Sequence, residues 1–183
     1  MTGLNSWPKK VAYRTRNSCR CRKDRGFSSV RRKRPGMVFP YLPDDQYTGD
    51  RRWLPRLPVT IREPASAEQV VALVDSGSEQ NVFGADLADR LKISLSSGKA
   101  VTIVGVGGGE ANGQLVVVEL QLGTHRWAAP TIFASVLNDQ PGILGRAGFF
   151  AFFTVTFREY RRELAVRRHT RSASTSSSNT ASW

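Results

Sequence analysis

Asp75 closes an apolar run, Ala72-Leu73-Val74-Asp75-Ser76-Gly77-Ser78, and is followed at once by a hydroxyl, a glycine and a second hydroxyl. An ionised carboxylate at the end of a buried-type strand is costly to take from water unless a partner or a reaction uses it. So placed, it is a candidate to accept and donate protons. Alone, Asp-Ser-Gly is more often a turn between strands. Well downstream, Pro141-Gly142-Ile143-Leu144-Gly145-Arg146 repeats the strand-into-glycine design without the acid.

Other chemistries fail on spacing. Gly105-Val106-Gly107-Gly108-Gly109 starts like a dinucleotide fingerprint, but the sixth position is Glu110 and a strand follows instead of a helix. Ser96-Ser97-Gly98-Lys99-Ala100 lacks the first glycine and the closing hydroxyl of a phosphate loop. No Gly-x-Ser-x-Gly surrounds Ser76 or Ser78, so a serine nucleophile on a strained elbow is not expected. Cys19 and Cys21 are too close for a structural zinc pair, and His125 and His169 stand alone.

The elements that must position Asp75 follow from periodicity. Leu57 to Ile61 alternates as a strand, Pro64 to Ala67 turns, and Val70 to Val74 is a continuous buried-type strand. Leu87 and Leu91, four apart, put one short amphipathic helix over about Gly84 to Leu91. Ala100 to Val104 and the strictly alternating Leu115 to Leu122 flank the glycine loop, and Trp127 to Ala134 is a further strand. A short helix over about Arg146 to Phe150 precedes a hairpin of Phe153 to Phe157 with Glu163 to Val166. The expected fold is mainly β, with one or two short helices.

The net charge of +12 over 183 residues is unevenly spread. Residues 1–52 carry 14 Lys/Arg against 4 Asp/Glu, residues 53–166 carry 10 against 11, and residues 167–183 carry 3 against none. The expected organisation is therefore a basic, disordered leader over 1–52, a nearly neutral domain over 53–166, and a Ser/Thr-rich flexible tail over 167–183. Met37 offers an alternative start that would remove most of the leader. Arg31-Arg32-Lys33-Arg34 is read first as a solvated run, with nucleic acid reached only through the leader. No apolar run approaches the ~18 residues of a membrane helix, and no signal peptide is evident, so no membrane partner is expected. Two thiols without a disulfide framework suit a reducing compartment, and the cytoplasm is expected.

The ordered set of an Asp-Ser-Gly strand end, an amphipathic helix, a glycine-rich hairpin and an apolar-apolar-Gly-Arg segment resembles a retropepsin-type aspartic protease over about Leu57 to Val166. The resemblance implies a closed-barrel-like half of an acid protease and a homodimer, with one catalytic Asp75 from each chain. Ser76, Gly77 and Ser78 would support the active-site loop, with the Ser76 hydroxyl bonding across the dimer axis. Gly105, Val106, Gly107 and Gly108 would form the flap over substrate, although no aromatic residue occurs from Val101 to Leu120. Ile143, Leu144 and Gly145 would brace the loop. The implied activity is endopeptidase cleavage of an extended peptide by a water activated between two carboxylates, with no metal or organic cofactor. Two alternatives stand beside it: a catalytically silent retropepsin-like peptide-binding or dimerisation module, and a nucleic-acid-binding leader on a β scaffold.

Overall fold

A computed structural model describes residues 36–44, 52–105 and 107–169. The strands are β1 (Met37–Pro40), β2 (Leu42–Pro43), β3 (Trp53–Leu54), β4 (Arg56–Glu63), β5 (Ser66–Val74), β6 (Asn81–Gly84), β7 (Lys99–Val104), β8 (Glu110–Leu122), β9 (His125–Ala134), β10 (Gly142–Leu144), β11 (Phe153–Arg158) and β12 (Glu163–Arg168). One α-helix, α1 (Ala85–Leu91), follows β6, and a π-helical turn spans Arg146–Phe150. The fold is mainly β, as the alternating and continuous apolar runs require.

Seven strands form one sheet in the order β4-β5-β10-β6-β9-β8-β7. It closes on itself because β8 is long enough to serve three neighbours. One edge of β8 lies along β9, while its other edge pairs first with β7 and then, through Glu119 to Gln121, with β4. Closure abolishes the open edges between β4 and β8 and encloses the core. Leu57, Val59 and Ile61 of β4 meet Val118, Leu120 and Leu122 of β8 in that interior, all buried. Full burial of each such side chain contributes roughly 1.5–3 kcal/mol.

The leader expected over residues 1–52 is folded in part. Met37–Pro40 pairs antiparallel with β12 in a second sheet, β1-β12-β11, and Leu42–Pro43 pairs with Trp53–Leu54. The reason is burial: Phe39 and Tyr41 are 1% and 2% exposed, and a basic block before them and acids after them mask this short apolar alternation. The Tyr41 hydroxyl donates to Glu159 at 2.9 Å, and burial together with that carboxylate pushes its pKa up to about 12. At the other end, Arg167 and Arg168 are part of β12, paired with Thr154 and Phe153. Cys19, Cys21 and Arg31 to Arg34, together with most of the Ser/Thr-rich tail, lie outside the described residues.

Trp127 fastens β9 to the segment that follows β10. Its indole Nε1–H donates to Gly148 O at 2.9 Å, and its ring meets Phe153 edge-on at 4.8 Å. Trp127→Phe keeps most of the apolar area but orphans that carbonyl. We expect a loss of about 1.5 kcal/mol, read as a lower urea midpoint with unchanged slope by circular dichroism.

Candidate active site

Two strands that are distant in sequence converge on Asp75. β10 runs parallel to β5, with Ile143 opposite Leu73 and Leu144 opposite Val74, and is antiparallel to β6 at Val82. The ladder continues one residue beyond β5, because Asp75 N–H donates to Leu144 O at 3.1 Å. Behind it, Val74 N–H donates to Pro55 O at 2.9 Å. Asp75 is therefore held by its backbone at the rim of the closed sheet, with its side chain half-buried.

The loop then turns tightly on the carboxylate itself. Gly77 N–H donates to Asp75 Oδ1 at 2.8 Å, and Ser78 N–H reaches Asp75 O at 3.3 Å. A Cβ on Gly77 would lie 3.1 Å from Oδ1, so a small residue suits that approach. Ser76 is exposed, and its hydroxyl has no partner among the described residues. The Ser78 hydroxyl donates to Gln80 O at 2.8 Å and shapes the exit of the loop.

A second row of bonds zips that exit to the segment after β10. Arg146 N–H donates to Ser78 O at 2.9 Å and Ala147 N–H to Glu79 O at 2.8 Å. Gly145 N–H donates to the Asn81 carboxamide Oδ1 at 3.0 Å. Asp75, Ser76, Gly77 and Ser78 are thus brought together with Ile143, Leu144 and Gly145. The residues expected to form a flap stand apart. Gly105 N–H donates to Gly109 O at 2.8 Å across the β7–β8 hairpin tip, and Gly107 and Gly108 have positive φ of 99° and 82°. That backbone is one glycine adopts without steric cost. No hydrogen bond links the described flap residues to the Asp75 loop, and Val106 lies outside the described residues.

The periodicity reading missed Asn81 and Arg56. Asn81 sits in a polar run, Ser78-Glu79-Gln80-Asn81, that carries no apolar signal. Arg56 opens β4 opposite Leu73 and is 7% exposed, with its Nη2 at 3.0 Å from Asp44 Oδ1. No pattern announces a buried arginine, since the residue is almost always at the surface.

Beside this site lies a small apolar cluster of Val82, Ile132 and Ala134, with Val101 and Ile103 of β7 and Ile143 of β10 packed against it. It connects β7 to β10, the strand whose Leu144 carbonyl accepts the Asp75 N–H.

Comparison with known proteins agrees with this anatomy. Residues 57–147 match the family described as aspartyl protease. Among solved structures, EIAV protease complexed with the inhibitor HBY-793 is 23% identical with a TM-score of 0.40, the match covering 55% of this chain and 86% of that one. A retropepsin-like aspartic protease from Rickettsia conorii is 11% identical with a TM-score of 0.46, over 70% of this chain and 88% of that one. No curated protein matches the chain. The family match spans β4 to Ala147, and so takes in the Asp75 loop, the β7–β8 hairpin and β10 together. Over residues 57–147, close to half of its length, the chain is similar to the aspartyl protease family.

Proposed function

We propose that this chain is an aspartic endopeptidase that works as a homodimer, each copy lending one Asp75 to a shared dyad. The observation that carries this reading is how Asp75 is held. Its N–H is fixed on Leu144 O and its Oδ1 engages Gly77 N–H, while Oδ2 has no partner among the described residues. Oδ2 is then the atom left for a shared proton. Two carboxylates about 3 Å apart hold one proton between them, as in aspartic proteases generally.

The chemistry follows from that shared proton. The ionised carboxylate takes a proton from a water as its oxygen attacks the scissile carbonyl carbon. The protonated one donates to the carbonyl oxygen, giving a neutral gem-diol. Collapse of the diol returns one hydroxyl proton to the dyad, breaks the C–N bond and sends a proton to the departing amine. No metal or organic cofactor enters these steps. The substrate would lie extended beneath the β7–β8 hairpin, taking main-chain hydrogen bonds by strand addition. The apolar cluster of Val82, Ile143 and Ile103 would receive its side chains.

The test is dilution. If the site forms between copies, cleavage per chain of an extended peptide rises with protein concentration and saturates as sedimentation shows the dimer filling. Added Asp75→Asn chains should poison the wild type in proportion to their share of mixed dimers. Cleavage per chain that stays constant under conditions where the protein sediments as a monomer would overturn the dimeric site. A dimer that binds peptides and leaves them intact would instead support the silent binding module.

A further inference from the structure

We infer that Asn81 is a positioning residue for Asp75, acting through the single peptide group that joins Leu144 to Gly145. The inference rests on the protease reading above. Leu144 O, which belongs to that group, accepts the Asp75 N–H at 3.1 Å. The N–H of the same group, on Gly145, donates to Asn81 Oδ1 at 3.0 Å. A peptide group is planar, so its carbonyl and N–H turn together. Asn81 therefore fixes the orientation of the carbonyl from which the Asp75 backbone hangs.

Packing alone does not call for asparagine at this place. Asn81 is 0% exposed, and its Nδ2 has no hydrogen-bond partner among the described residues. A buried amide donor left unpaired is costly, and a leucine, of the same branched shape, would avoid that cost. What asparagine adds is one acceptor, aimed at Gly145 N–H. The side chain cannot swing away, because Gly148 lies so close that a Cβ there would collide with the carboxamide. Asn81 is further anchored in β6, whose backbone is paired parallel to β9 at Thr131. The clamp thus runs from a closed-sheet strand, through one side chain and one peptide plane, to the reacting residue.

A loosened plane lets the Asp75 loop shift relative to its twofold mate, and a misplacement near 1 Å is enough to cost about 100-fold in rate. The experiment compares full-length wild type, Asn81→Leu and Asn81→Asp at acidic pH, with active sites counted by a tight-binding transition-state-analogue peptide. Asn81→Leu should lower kcat per titrated site by about 30- to 100-fold with KM within about threefold. Asn81→Asp, whose protonated carboxyl keeps an acceptor in the same place, should stay within about fivefold of wild type. A purely structural role would reduce the number of titrated sites and the melting temperature while leaving kcat per site unchanged. Should Asn81→Leu not fold, Asn81→Ala takes its place with the same expected loss. Leu or Ala variants with kcat per site within threefold of wild type, or an Asp variant that falls as far as they do, would overturn the inference. If wild type cleaves, Asp75→Asn is dead and Asn81→Leu is unimpaired, only this inference falls. If wild type cleaves nothing, the protease reading itself fails.

Discussion

Replacing Asp75 with asparagine should lower peptide cleavage by about 10⁴-fold while leaving the fold intact. The two effects separate because the backbone and the carboxyl do different work. The loop hangs on Asp75 N–H and closes on Oδ1, and a carboxamide oxygen can accept the Gly77 N–H just as a carboxylate oxygen does. What asparagine cannot do is hold the shared proton of the proposed dyad or take one from water. Melting temperature and sedimentation of the Asp75→Asn protein should therefore match wild type, and its binding of an extended inhibitor should weaken only to the extent that the inhibitor borrows the shared proton. Peptide cleavage persisting within tenfold of wild type would exclude Asp75 as the catalytic acid. Serine replacement of Gly77, by contrast, would crowd Oδ1 directly and confound geometry with chemistry.

The parts of this site that were legible in the sequence are those in which an apolar run stops abruptly. Val74 into Asp75 and Leu144 into Gly145 are such stops, and both mark strand ends in the structure. The alternation of Leu115 to Leu122 and the Leu87/Leu91 spacing likewise reappear as β8 and α1, because each element buries one face. The parallel pairing of β10 with β5 leaves no local trace: the two strands lie about seventy residues apart and meet only when the sheet closes. β6 escaped notice for another reason. All four of its residues are buried, so it has neither an exposed face nor a period to reveal it. Asn81 was hidden in that strand, and its role depends on a single bond to a backbone N–H that no pattern of side chains encodes. β1 was hidden by charge, since a four-residue strand cannot raise its own signal above an adjacent block of arginines.

Gly145→Ala tests how tightly the two halves of the site are pressed together, and the expected result is a large loss of stability of the folded domain. The backbone of Gly145 is extended, with φ of −101° and ψ of −178°, a conformation that alanine adopts freely. The obstacle is space alone. A Cβ at this position would lie 2.5 Å from the Gln80 carbonyl carbon and 2.9 Å from Gln80 N, and closer still to the oxygen. These are backbone atoms with little freedom to give way: Gln80 O already accepts the Ser78 hydroxyl, and the next residue begins β6. Relief would require β10 to move away from the Asp75 loop, which would break the Arg146–Ser78, Ala147–Glu79 and Gly145–Asn81 bonds together. We expect destabilisation above about 3 kcal/mol, at the upper end for overpacked interiors, and a fall in melting temperature of about 10 °C or more. Gly108→Ala supplies the contrast. Its φ is 82° with nothing within 4 Å of a new Cβ, so its cost is conformational, about 1 kcal/mol. That substitution acts at the hairpin tip and should alter peptide capture while the barrel melts nearly as before. Calorimetry on the two variants side by side decides the matter: a Gly145→Ala protein that melts within 2 °C of wild type would show that the bracing segment can yield, and that Asp75 is held less rigidly than its hydrogen bonds imply.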